Sequence, residues 1–136
     1  MSVGADELQG KAIQCFANSR SDVTLEDVGF TDRKMWHFRF LQNSGVALDN
    51  IDLVGQELKL EKHANGPASY ILYLNHISIW DVWRVDRRTL VLTSIVSDEK
   101  YNCEVFNSHD EYFVAMEELI VRLEKLIEVR QSENQI

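Results

Sequence analysis

Residues 5–18 read ADELQGKAIQCFAN. Leu8, Ala12, Cys15 and Phe16 recur at three- and four-residue steps with Ile13 beside them, which predicts an amphipathic helix weakened by Gly10. The polar connector SDVTLEDVGFTDRK follows, with room for one short turn ending at Gly29. MWHFRFLQ then alternates: Trp36, Phe38 and Phe40 share one face, and His37, Arg39 and Leu41 share the other. That pattern predicts a half-buried strand closed by a turn at NSG.

The stretch VALDNIDLVGQELKLEKHANG reads as one or two short strands. Leu58 and Leu60 alternate with Glu57, Lys59 and Glu61 ahead of a turn at residues 64–67. Residues 69–85 are too long for one ordinary strand. A break near Asn75–His76 divides them into SYILYL and ISIWDVWRV. DRR turns into TLVLTSIV, and SDEK turns again into YNCEVF, so residues 69–106 predict an antiparallel meander.

The last element is a helix. Ser108 and Glu111 fit a capping box, in which each side chain satisfies an unpaired backbone donor. Tyr112, Phe113, Met116, Leu119, Ile120, Leu123, Leu126 and Ile127 then form a wide apolar stripe reaching to about Arg130. Glu118 and Arg122, four apart, are spaced to pair on the wet face. The expected fold is α+β: an antiparallel sheet of about five to six strands, flanked by an N-terminal helix and a long C-terminal helix. The chain has 136 residues, which favours a single domain over residues 1–136.

An apolar fraction of 45% with 26% charged residues belongs to a folded chain rather than a disordered one. No apolar run approaches the roughly 20 residues that span a bilayer. MSVGADELQG carries no basic segment followed by an apolar stretch, so no secretory signal is expected. Cys15 and Cys103 match no metal or redox spacing, and the expectation is two buried, reduced thiols in a cytoplasmic protein.

The net charge is −8, and it is uneven: residues 97–136 hold ten acids against four bases. An acidic surface repels nucleic-acid phosphates and anionic membranes and favours a basic partner.

The densest chemistry lies in LNHISIWDVWRVDRRTL, residues 74–90. Read as a strand, ISIWDVWRV turns Ile77, Ile79, Trp83 and Val85 to the core and leaves Trp80 beside Arg84. Tryptophan and arginine dominate binding energy at interfaces, which makes Trp80, Arg84, Arg87 and Arg88 candidate contact residues. Asp98, Glu99, Glu104, Glu117, Glu124 and Glu128 are the carboxylates expected to steer a basic partner.

His37, His63, His76 and His109 form no HxH or HExxH pattern. A site assembled from His37, His63 and His76 would have to come from distant strands. Glycine spacing fits no phosphate loop, and no serine sits in a GxSxG elbow. Glu57-Leu58-Lys59 after Asp49 and Asp52, and Asp98-Glu99-Lys100, fit only a loose nuclease pattern that the acidic surface opposes.

The sequence therefore predicts a small acidic protein-binding module with no catalytic residues, metal or cofactor. The foremost reading is an immunity- or inhibitor-type protein that neutralises a basic partner. A secretion-chaperone-like escort, with homodimerisation, is the second. An enzyme with its site dispersed over the sheet is the third.

Overall fold

The computed structural model describes residues 5–28, 34–55, 57–64, 66 and 68–133. A single helical turn, Ala5–Leu8 (α1), precedes nine strands: β1 Ala12–Phe16, β2 Met35–Phe40, β3 Gly45–Val54, β4 Glu57–Glu61, β5 Ala68–Leu72, β6 His76–Ile79, β7 Trp83–Asp86, β8 Val91–Ser94 and β9 Lys100–Phe106. The helix His109–Glu133 (α2) ends the described chain. Every strand pairing is antiparallel. The order β2-β1-β9-β8-β7-β6-β5-β3 closes on itself through β2–β3, so eight strands form a barrel and β4 lies outside it on β3.

This corrects the expected flanked sheet: the fold is a closed β-barrel with one long helix, and among the described residues the N-terminal segment holds only the single turn α1 in place of a flanking helix. The correction turns on residues 12–16, which are all buried. Ile13 and Cys15 point into the barrel cluster, while Ala12 and Phe16 point outward to the cluster beneath α2. A strand covered on both faces loses the polar alternation that marks a strand, and its short apolar run resembles a buried helix. Gly10, at φ 85°, turns the chain from α1 into β1, and the Gly10 amide donates to the Phe40 carbonyl at 3.0 Å.

The same double burial holds for β2. Phe38 and Phe40 fill the interior, with Trp36 packed beside them, and Met35 joins the layer under α2. His37 and Arg39, expected on a wet face, are buried as well.

The β2–β3 hairpin follows turn chemistry. Asn43 and Ser44 both hold positive φ, and Gly45 N–H donates to the Gln42 carbonyl at 3.0 Å, the signature of the turns that match strand twist. The expected turn at Gly29 lies outside the described residues. The meander from β5 to β9 is present, but ISIWDVWRV is not one strand: it turns at residues 80–82.

Two clusters hold the molecule together. Inside the barrel, Phe38, Phe40, Tyr70, Trp83 and Tyr101 pack with Ile13, Ile77, Ile79, Val85 and Leu92. Between barrel and helix, Phe16, Met35, Ile51 and Leu58 meet Tyr112, Met116, Leu119, Ile120 and Leu123. Burying each of these large side chains stabilises the fold by about 1.5–3 kcal/mol relative to leaving it exposed.

Half of the expected capping box at α2 is made: Glu111 N–H donates to Ser108 Oγ at 3.1 Å, while the Glu111 carboxylate accepts from Asn107 N–H, one residue before the cap, at 3.2 Å. Arg122 does not take up the expected partner Glu118. It donates to the carbonyls of Arg20 at 2.7 Å and Val23 at 3.1 Å, strapping α2 to the chain after β1.

Cys15 and Cys103 are directly opposed on β1 and β9 and are joined as a disulfide. The expectation of two reduced thiols is thereby corrected. Disulfides persist in oxidising surroundings, so cysteine usage gives no ground for a cytoplasmic home. Among the described residues no helix is long and apolar enough to cross a membrane.

Candidate binding surface at one end of the barrel

Ile79 and Trp83 are paired across the β6–β7 hairpin, and both face the interior. The chain between them must reverse in three residues. Trp80 and Asp81 do so at φ 54° and 53°, and Val82 N–H closes the turn on the Ile79 carbonyl at 3.1 Å. Positive φ at both central positions is what Asn-Gly supplies without strain, and for a bulky side chain it is an outlier. The outcome is a tryptophan 41% exposed at the tip of a tight turn.

Trp80 is backed by aromatic rings. Its centroid lies 6.1 Å from that of Trp83. Trp83 in turn packs on Trp36 at 4.8 Å and Phe38 at 5.3 Å. Tyr101 meets Trp36 edge-on at 6.4 Å. The rings make a stiff floor at this end of the barrel, from which Trp80 projects.

The β8–β9 turn lies beside it. Ile95 N–H donates to the Val82 carbonyl at 2.8 Å, so the two turns are hydrogen-bonded neighbours. Ile95 and Val96 are 52% and 83% exposed. Asp98, at φ 60°, completes the turn, with its N–H on the Ser94 carbonyl at 2.9 Å. Glu99 accepts from the Tyr101 hydroxyl at 2.6 Å. Burial, then the hydrogen bond to Glu99, raises the Tyr101 pKa above its ordinary value. Trp80 on one turn and Ile95 and Val96 on its neighbour are thus exposed apolar groups, and Asp81, Asp98 and Glu99 of the same turns are exposed beside them, with Lys100 and Arg84 exposed on the adjoining strands.

The structure distributes the other candidates around the molecule. Arg84 lies midway along β7 on the outer wall, in register with Thr93 and Lys100. Arg87 and Arg88 follow the far end of β7, with the full strand between them and Trp80. Arg87 is structural there: it donates to the Tyr73 carbonyl at 3.0 Å and pairs with Glu7 at 2.7 Å. Asp86 accepts from the amides of Arg88 and Thr89, and those amides hold its carboxyl below the usual range. Glu104 pairs with Arg20 at 3.4 Å. Glu117 and Glu128 are exposed on α2 and Glu124 is half-buried, all away from the Trp80 turn.

His37 is buried beneath α2, opposite Asp49 on β3. His63 reaches the same aspartate only through its backbone N–H, at 3.2 Å. His76 stacks on Tyr73 at 4.5 Å on another part of the barrel. Among the described residues no group of three or more His, Cys, Asp and Glu is arranged to hold a metal ion.

Asp49 belongs to the architecture. Its side chain is fully buried and accepts from Arg39 Nε at 2.6 Å, Arg39 Nη2 at 2.9 Å and the Tyr112 hydroxyl at 2.6 Å. The bidentate pair raises the Arg39 pKa, and burial followed by the Asp49 charge raises that of Tyr112 far above its ordinary value. Of the loose nuclease pattern, Asp52 faces Lys59 on the strand outside the barrel, and Asp49 is fully engaged in this network.

Sequence reasoning missed Asp81, Ile95 and Val96. SIVSDEK held the signal, since two apolar residues run straight into turn residues. TLVLTSIV was read as strand throughout, whereas β8 stops at Ser94. Comparison of the chain with protein-family models, with curated proteins and with solved structures gives no match in any of the three.

Proposed function

We propose that this chain is a protein-binding module that docks a basic partner on the Trp80 end of its barrel. The observation that carries the reading is the turn itself. A bulky residue at positive φ is strained, and such strain persists where the surroundings impose it, commonly at functional positions. Here it holds a large indole out from a stiff aromatic floor, between exposed Ile95 and Val96. Rigid aromatic anchors within a polar rim are the usual energetic centre of a protein interface. Asp81, Asp98 and Glu99, together with a net charge of −8, favour a partner that presents basic groups around an apolar socket.

The narrower expectation of an immunity-type inhibitor has no support in this fold or in the comparisons and is withdrawn.

The test is a matched capture from the native host at low salt, with wild-type protein and Trp80→Asn. Asparagine tolerates positive φ, so the variant should melt within about 1 kcal/mol of wild type, with relief of strain offsetting the lost ring contact. A near-stoichiometric partner that Trp80→Asn binds about 30-fold or more weakly is the expected result. A partner held equally well by Trp80→Asn would refute the reading.

A further inference from the structure

The outward face of α2 presents a second surface, unrelated to the Trp80 end. Its inward face is accounted for by Tyr112, Met116, Leu119, Ile120 and Leu123. Opposite them, Val114, Val121 and Val129 are 59%, 42% and 52% exposed. Valine lowers helix propensity and contributes nothing to an exposed helix position by local energetics. At about 100° per residue, Val114, Glu118, Val121, Lys125 and Val129 fall within roughly 80° of the helix circumference. They form one stripe, and Val114, Glu118, Val121 and Lys125, with Glu117 and Arg122 at the edges, line a shallow, mostly apolar groove of about 430 Å³.

The order of residues along this stripe is self-complementary. Reversing the helix about the midpoint between Val121 and Arg122 brings Val114 opposite Val129 and Glu118 opposite Lys125, and sets Val121 opposite Arg122, one residue from its own copy. An isologous twofold contact requires this, since the same patch must satisfy itself. Arg122 and Arg130 are both committed to the chain after β1, Arg122 to backbone carbonyls and Arg130 to Glu26. That leaves Lys125 as the cation of the stripe, matched to Glu118 of the other copy.

We infer that this face of α2 binds a second copy of the chain, with the two helices antiparallel and Glu118 of each paired to Lys125 of the other. One helix face is smaller than the roughly 800 Å² per partner of a stable complex. Glu117 and Glu128 flank the stripe with like charge. The dimer is therefore weak, forming over the range from about 1 µM to 1 mM. It leaves the Trp80 end free, so its test does not depend on the partner proposed above.

Sedimentation velocity over a concentration series decides it. Wild-type protein should dimerise reversibly. Glu118→Lys and Lys125→Glu should each weaken the dimer by about tenfold or more, because every such change acts twice in a twofold contact. The combined Glu118→Lys/Lys125→Glu variant should recover most of the lost affinity. Val121→Glu should leave a monomer, and melting curves of all four variants should match the wild type. A monomer up to about 1 mM, a dimer indifferent to Val121→Glu and Glu118→Lys, or a combined variant that does not recover would each overturn the inference.

Discussion

Asp49 shows what a charge needs in order to sit at 1% exposure. Two guanidinium N–H groups, a phenol and a backbone amide converge on its two oxygens, which offsets the several kcal/mol lost on leaving water. Asp49→Asn would leave the Arg39 charge buried against a neutral amide, with an expected loss of about 3–5 kcal/mol in a urea titration. Tyr112→Phe removes one donor from a carboxylate that keeps three others and should cost only about 1.5 kcal/mol. The tyrosine also sets a pH dependence. Its folded pKa is raised above the ordinary 10.0, so its contribution is complete below about pH 10 and is lost as pH climbs toward the folded value. Between about pH 9 and 11 the urea midpoint of wild type should therefore fall more steeply than that of Tyr112→Phe. Parallel slopes for the two proteins would remove Tyr112 as the alkaline-sensitive group.

At the scale of elements, β1 carries the lesson about what the sequence reveals. Strands with one wet face announced themselves: Leu58 and Leu60 alternate with charges, and β4 lies where that pattern put it. The long helix was legible too, from its cap and stripe. AIQCF was not, because both of its faces are dry, one against the barrel interior and one against α2. That same reading hides the barrel closure: with β1 taken as a helix, no strand remains to join β9 to β2. Of the candidate binding residues, Trp80, Asp98 and Glu99 lie on or beside the two neighbouring turns, an arrangement hidden in the sequence because the β6–β7 reversal depends on a Trp-Asp turn that no turn propensity signals.

The disulfide lies in this same closure. It joins residues 88 apart, and constraining a loop of that size should stabilise the barrel by about 4–5 kcal/mol. Reduction, or Cys15→Ser with Cys103→Ser, should lower the denaturant midpoint accordingly with the fold retained. An unchanged midpoint after full reduction would show that β1–β9 pairing and the α2 layer hold the closure alone.

Across the whole molecule, the barrel interior is filled by side chains, and α2 covers the β1 side of the wall. At the Trp80 end exposed apolar groups, backbone strain and exposed acids coincide. Trp36, Phe38 and Trp83 pack against one another behind that end, and under the proposed function a partner would bind there without first ordering the loops. The most direct test is amide hydrogen exchange of the protein with and without its captured partner. The account predicts that protection increases at residues 80–82 and 95–99, while the outer face of α2 and the Arg87–Arg88 turn are unchanged. Protection gained on those other surfaces, with residues 80–82 and 95–99 exchanging as in the free protein, would contradict it.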